Sequence, residues 1–286
     1  MQTWFAAHAV LRASIDADPL ITLRQNTCVT RVDQDPHTAW AVTADHEHAR
    51  ADMVIGADGH RSIVRRHVAP NKPDATFAGY LIWIGIADES AIPARRWPTG
   101  LAYESRDKYI LLGAPLPGKD GSTLPGHRRL GWALYDSTRN ELLRRAGSVN
   151  GSVVHHSLMP DSIPAATYDE LDRVAASRFS KPWTDAIRDS IARRSVIGTP
   201  IAGYVPYRLV TGRLALVGDA AHVPTPMTGS GFSESLYDAE ALASAVTAET
   251  EIPAALLDYE GQRLREARSL VTSGQGFSRS FAGPSR

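Results

Sequence analysis

The chain has 286 residues, 43% of them hydrophobic and 22% charged, with Lys plus Arg and Asp plus Glu balanced at 31 each. That is an ordinary globular composition, long enough for one or two domains, and its neutrality gives no support for nucleic acid or an anionic membrane as partner. A single cysteine, Cys28, excludes an internal disulfide framework and a multi-cysteine metal site, and no apolar run reaches membrane-spanning length.

Residues 1–17 read as an amphipathic helix, with Trp4, Phe5, His8, Leu11, Arg12 and Ile15 at helical spacing and Pro19 ending it. Leu20 to Val32 alternates in the manner of a strand, which makes Cys28 a small core residue. After a turn cluster at Asp33 to His37, Thr38 to Thr43 returns as the second strand of a hairpin, with Trp40 and Val42 on one face. His46 and His48 flank Glu47, but no third ligand is near, so a charged surface turn is expected rather than a metal pair.

Ala51 to Ile55 is a buried strand running into Gly56-Ala57-Asp58-Gly59-His60-Arg61-Ser62-Ile63-Val64-Arg65-Arg66. Asp58-Gly59 suits a tight turn, and Ser62 suits the cap of a following helix. Arg61, Arg65 and Arg66 add positive charge there, which points to a site for phosphate or ribose hydroxyls.

Pro70 to Pro73 marks a boundary. Strand-like runs then appear at 79–86, 101–103, 109–112 and 130–135, separated by Gly/Pro turns, as in an antiparallel sheet. Residues 113–129 read as a long flexible loop. Helices follow at 168–178, with Leu171 and Val174 inward, and at 183–193. His155-His156 falls in this half without a readable direction. The expected domains are therefore 1–73 with 201–286, and an inserted 74–200.

Leu214 to Val217 reads as a buried parallel strand, followed by the turn Gly218-Asp219 and a loop holding Pro224, Pro226, Gly229 and Gly231. From about Phe232 the pattern is helical, with Leu236, Ala239, Leu242, Ala243 and Val246 at i, i+3, i+4 spacing. Strand, glycine loop and helix in that order place the loop where ligands bind in an open α/β sheet. The helix N-terminus offers unpaired N–H groups to an electron-rich group. A last helix spans Pro253 to about Val271, and the Gly/Ser-rich residues from Ser273 are expected to be mobile.

Gly218-Asp219-Ala220-Ala221-His222, with Pro226, Gly229, Gly231 and Asp238-Ala239, resembles the second flavin-binding motif of the class A FAD-dependent aromatic-ring monooxygenases, the p-hydroxybenzoate hydroxylase fold. Gly56 to Arg66 is similar to the middle motif of the same family, which touches FAD and the nicotinamide nucleotide. The runs 80–86 and 131–135 resemble most the branch that includes 2,6-dihydroxypyridine hydroxylase. The resemblance implies an α/β fold: an FAD/NAD(P)-binding Rossmann-like domain with an inserted antiparallel-sheet, α+β substrate domain.

It also implies FAD and NAD(P)H as cofactors, and hydroxylation of a small aromatic or heteroaromatic substrate with O2 through a flavin hydroperoxide. Asp219 would bind the ribityl chain, together with Gly218 and Ala220. The backbone N–H groups of Gly231 and Phe232 would stabilise the reduced flavin edge, and the Pro226–Gly229 loop would lie along the ring, with Pro226 near oxygen activation. Asp58, Gly59 and Arg61 would take ribose or pyrophosphate. His222 is the nearest candidate base, but it is also a structural residue of the motif, and that role is favoured.

One departure stands out. The family begins with a Gly-x-Gly-x-x-Gly strand–turn–helix, and this sequence has none; Gly229-Ser230-Gly231 lacks the third glycine. The chain thus reads as the family without its N-terminal half, for which weak or no FAD binding is expected. A non-catalytic FAD-fold protein that binds an aromatic ligand or a partner is the alternative. A halogenase is disfavoured because Leu81 to Ile86 lacks the second Trp of the halogenase motif. The N-terminus shows no basic region followed by an apolar stretch, so a cytoplasmic location is expected, with a second copy of the chain as a further partner.

Overall fold

A computed structural model describes residues 4–283, including the backbone but not the side chains of Trp4 and Phe5, so the expected packing of those two rings lies outside the described residues. In chain order the elements are α1 (Trp4–Ala17), β1 (Val29–Gln34), β2 (Ala39–Thr43), β3 (His48–Ala51), β4 (Val54–Gly56), α2 (Ile63–Val68) and β5 (Thr76–Asp88). Next come β6 (Ala102–Arg106), β7 (Tyr109–Leu116), β8 (Arg129–Asp136), α3 (Asn140–Arg145), β9 (Val149–Asn150), β10 (Val153–Val154), α4 (Ala165–Arg178) and α5 (Trp183–Ala192). The chain closes with β11 (Ile197–Gly203), β12 (Val210–Thr211), β13 (Leu214–Leu216), α6 (Gly231–Ala248) and α7 (Ile252–Ala282).

The chain divides into two compact units. One holds residues up to Arg24, Tyr80–Val149 and His156–Pro200; the other holds Gln25–Gly79, Asn150–His155 and Ile201–Arg286. Residues up to Arg24 thus group with the antiparallel part of the chain.

In the first unit, β6, β7, β8 and β5 lie side by side, all antiparallel. Strand alternation sends Trp83, Leu111, Trp132 and Leu134 to one face. Helix α5 supplies the partners there: the Trp132 indole N–H donates to its Ser190 Oγ at 3.0 Å, and Gly113 leaves room for its Trp183 ring. A Cβ on Gly113 would stand 2.2 Å from that ring. The Trp83 indole N–H donates to Asp136 Oδ2 at 3.1 Å. The opposite face carries Tyr80, Ile82 and Ile84 of β5, Tyr135 and Ala133 of β8, Leu112 of β7 and Tyr103 of β6. Tyr80 and Tyr135 are buried and stacked with centroids 5.9 Å apart, whereas Ile84 and Tyr103 are exposed.

In the second unit, β1, β2 and β3 form an antiparallel meander. β4 and β13 pair in parallel, Leu214 opposite Val54 and Leu216 opposite Gly56, and β12 returns antiparallel on β13. The core here gathers Val32, Val64, Val68, Leu214, Leu216, Leu242, Leu256 and Tyr259. Gln34 fastens the meander to the β12–β13 turn: its side chain donates to Thr211 O at 3.0 Å and accepts from Arg213 N at 2.6 Å.

The structure corrects several sequence expectations. Residues 20–28 are not a strand, and Cys28 is exposed rather than in a core. Val10 and Leu11 of α1 are exposed, so among the described side chains no continuous apolar stripe of that helix is covered. β3 was not foreseen, because His48–Ala51 is short, polar and exposed along its length. The 113–129 loop is narrower and anchored: β7 continues to Leu116, and Glu89 accepts from Gly126 N at 2.7 Å and Arg128 N at 3.0 Å. The residues after Ser273 are helical to Ala282. Among the described residues there is no group of metal-ligating side chains, and no helix is long and apolar enough to cross a membrane.

Candidate functional site

Two strands that pair in parallel end at the same edge of their sheet. β4 therefore delivers Ala57-Asp58-Gly59 to the edge where β13 delivers Gly218-Asp219, and Val217 N–H extends the ladder to Gly56 O at 3.0 Å. Sequence reading found both turns separately; the register explains why they meet.

Arg65 ties them. Its side chain is fully buried and finds no carboxylate. Instead it donates to the carbonyls of Pro73 at 2.7 Å, Asp219 at 3.3 Å and Ala220 at 3.0 Å, and to that of His60, while lying 4.2 Å above the Tyr204 ring. Burial lowers its pKa, with Tyr204, Asp58 and Asp74 acting in the opposite sense. A planar fork can hold several carbonyls in fixed directions, which a lysine cannot. One guanidinium thus sets the backbone of both turns.

The remaining residues of the first motif sit differently from their expected roles. Asp58 Oδ2 accepts from Ile63 N at 2.7 Å and Val64 N at 3.4 Å, and Ser62 Oγ accepts from Arg65 N at 2.9 Å. The opening amides of α2 are therefore satisfied internally, and that short helix offers no phosphate cradle. The Arg61 guanidinium donates to His155 O at 2.7 Å, and Arg66 pairs with Asp74 at 2.6 Å. Gly59 adopts φ +76°, the left-handed conformation of the tight turn. His60 Nε2 is enclosed without a partner, and burial lowers the pKa of the ring despite the nearby Asp219 charge.

The second motif is held from behind. Gly218 has φ +57°, and a Cβ there would come within 2.8 Å of Ser235 Oγ, so the turn requires glycine. Asp219 presents an exposed carboxylate on a crowded floor. Burial around it raises its pKa, while His222, His60 and Arg65 pull it down. Ala220 faces the core and contributes only its carbonyl. His222 is 0% exposed, and its Nε2 lies 2.8 Å from Asp238 Oδ2. An enclosed ring bonded to a carboxylate cannot meet a substrate, so the loop role fits His222 and the base role does not.

The following loop turns through Pro226–Thr228 to Gly229, at φ +65° with open space where a Cβ would stand. α6 begins at Gly231, with Pro226 and Phe232 exposed. Its first intrahelical bond runs from Glu234 N to Ser230 O at 3.0 Å, so its N-terminal dipole end faces the loop.

Asp238 is the hub that sequence reading recorded only as a motif letter. Its Oδ2 accepts from Gly218 N at 2.9 Å as well as facing His222, and its Oδ1 accepts from Arg263 Nε at 2.8 Å. Arg263 and its further partner Glu234, at 2.6 Å, were missed altogether. The available signal was a charge on an apolar stripe: Arg263 stands between Tyr259 and Ala267, and both are buried. Burial pushes the Asp238 carboxyl up, but the bonds from His222, Arg263 and Gly218 outweigh it and hold its pKa below the usual value.

Known proteins resemble the chain over most of its length. The family described as "FAD binding domain" matches residues 150–273. The chain is 27% identical over 249 residues to 2,6-dihydroxypyridine 3-monooxygenase of Paenarthrobacter nicotinovorans, covering 85% of this chain and 60% of the relative. It is 29% identical over 251 residues to the FAD-dependent urate hydroxylase of Klebsiella pneumoniae, covering 85% and 56%. The chain thus spans little more than half the length of these curated relatives. The solved structure of 2,6-dihydroxypyridine-3-hydroxylase from Arthrobacter nicotinovorans superposes with a TM-score of 0.78 at 25% identity, over 94% of this chain and 68% of that one. The Klebsiella pneumoniae structure complexed with FAD and uric acid gives 0.67 at 23% identity, over 90% and 58%, a likeness of fold. The chain thus resembles class A FAD-dependent aromatic-ring hydroxylases, in sequence and in fold, over the part of their length that it spans.

Proposed function

We propose that the chain is the flavin-ring and substrate portion of an FAD-dependent monooxygenase that hydroxylates a small aromatic or heteroaromatic compound, with NAD(P)H as reductant and O2 as oxygen source. The observation that carries this reading is the pair of turns at the carboxyl ends of β4 and β13, locked by Arg65 beside the N-terminus of α6.

The residues present fit the flavin end of FAD. An exposed carboxylate at Asp219, on a backbone held by Arg65 and Asp238, suits the hydroxyls of a ribityl chain. When bound, FAD supplies the redox and oxygen chemistry. The chain's own contributions are orientation and charge. Gly231 and Phe232 sit where the α6 dipole favours negative charge. Gly229 leaves room for a planar ring beside the loop. The open face of the β5–β8 sheet, with Tyr103, Leu112, Ala133 and Ile84, offers an apolar and aromatic surface for a ring substrate. No Gly-x-Gly-x-x-Gly turn exists in this chain to cradle the pyrophosphate.

The test is a fluorescence titration of the purified chain with FAD and with riboflavin. Both are expected to bind weakly and within about threefold of each other, with Asp219→Ala weakening both about tenfold through the lost hydroxyl bonds. FAD binding thirtyfold tighter than riboflavin would show a pyrophosphate cradle that this reading denies. Absence of flavin binding altogether would overturn the flavin assignment.

A further inference from the structure

The exposed carboxylate of Asp219 lies between two residues that share one anchor. Gly218, just before it, donates its N–H to Asp238 Oδ2 at 2.9 Å; His222, three residues after it, places Nε2 2.8 Å from the same oxygen. Both ends of the turn therefore converge on one atom of α6. That carboxylate is 0% exposed and must have a cation to remain ionised there. Arg263 of α7 is that cation, at 2.8 Å on the other oxygen, and its fork continues to Glu234 at 2.6 Å and Glu266 at 2.9 Å. Glu234 lies in the first turn of α6, next to Gly231 and Phe232. A single guanidinium therefore joins the support of the Asp219 turn to the support of the helix start.

We propose that Asp238 and Arg263 are positioning residues for the flavin-facing backbone: Asp238 fixes where the Asp219 carboxylate points, and Arg263 fixes Asp238 against the first turn of α6. This rests on the flavin reading above for its ligand, and on bond geometry alone for its mechanism. Neither residue touches the ligand. With Arg263 removed, Asp238 loses the partner that fixes its Oδ1, the carboxylate can turn, and its Oδ2 no longer holds Gly218 and His222 in fixed directions. The turn loosens while the surrounding core, built from Leu214, Leu216, Leu242 and Leu256, stays in place. The same network explains why His222 belongs to the motif although it is shut away from solvent.

Two measurements on the full 286-residue chain test this in Arg263→Gln and Arg263→Lys, with circular dichroism and thermal melts to follow folding. The first is amide hydrogen exchange. Gly218 N–H is expected to exchange at least tenfold faster in both variants, while Trp132 and other amides of the antiparallel unit keep their wild-type rates. The second compares riboflavin with lumiflavin, which lacks the hydroxyl chain. Arg263→Gln is expected to raise the riboflavin Kd about tenfold with the lumiflavin Kd changed less than twofold. Arg263→Lys keeps the charge but not the fork and should fall between. A lowered melting temperature with Gly218 exchange and the riboflavin-to-lumiflavin ratio both unchanged makes the pair merely structural and overturns the proposal. Wild-type chain that binds neither flavin, with Gly218 exchange still dependent on Arg263, overturns the flavin reading and leaves the positioning role standing. Should Arg263→Gln fail to fold, Arg263→Lys carries both readouts.

Discussion

At the scale of single residues, the site consists of charges placed where a fold would not choose them for stability. Asp219 has its pKa raised chiefly by burial, so the folded chain disfavours its ionised form. A folded-state pKa above the unfolded one favours the fold below about pH 3.9 and opposes it once pH rises past the folded value. Asp219→Asn is therefore expected to raise the melting temperature at pH 7, to leave it unchanged near pH 3, and to weaken riboflavin binding. Melts at the two pH values with one titration check all three. A variant that melts lower at pH 7 would mean that the carboxylate is stabilising. This opposition between stability and binding is what a functional carboxylate predicts. The residues named from sequence were the ones whose type is constrained by the ligand or by backbone conformation: Asp219, Gly218, Gly229. The residues that act from inside were read differently or missed: Arg65 as a charge for phosphate, Asp238 only as a motif letter, and Arg263 not at all. Their type is set by partners distant in sequence, Arg65 and Asp219 being bonded across 154 positions.

At the scale of elements, apolar periodicity and turn chemistry were enough to locate β4, α2, β5, β13 and α6, and the parallel pairing followed from the apolar run 214–217. Local pattern failed where tertiary contact overrules it. Leu20 to Cys28 alternates but pairs with no strand. Gly274 and Gly276 argue against helix, yet α7 runs through them, because Gly274 lets the helix approach Thr225: a Cβ there would stand 2.4 Å from Thr225 Cγ2. A similar close approach decides the sheet–helix packing of the other unit. Gly113→Ala would set a methyl within 2.2 Å of the Trp183 ring. Overpacking of this kind costs about 1–3 kcal/mol, with displacement of α5. Urea unfolding followed by tryptophan fluorescence measures it; a midpoint equal to wild type would show that the ring moves aside freely.

For the whole molecule, the two units differ in what holds them at low pH. In the antiparallel unit Glu89 accepts the Arg128 fork and the amides of Arg128 and Gly126, which hold its pKa at about 2. In the other unit Asp238 is likewise held below its ordinary value. A depressed carboxylate stabilises above its unfolded pKa of about 4 and loses that contribution as pH falls through the folded value. The melting temperature is thus expected to drop between about pH 4 and pH 2, and Glu89→Gln should lower it at pH 7 while flattening that drop. An equally steep acid limb in Glu89→Gln would assign the transition to other groups. The composition made this globular behaviour readable, but not which carboxylates govern it, since that depends on loops whose ends meet only after folding.

The helix α7 has a consequence in time as well as in space. Its 31 residues span roughly 45 Å at 1.5 Å per residue. Along that length Tyr259 donates to Leu216 O at 2.7 Å, Glu260 accepts from Leu209 and Val210 N–H, Arg263 grips Asp238, and Gly274 admits Thr225. Every segment it fastens precedes it in the sequence. During synthesis, then, the strand, the aspartate turn and the proline loop leave the ribosome before the element that sets them exists. The backbone of these turns is assembled in one late step, when α7 docks, and a nascent chain released before Tyr259 would carry the whole motif without its fasteners.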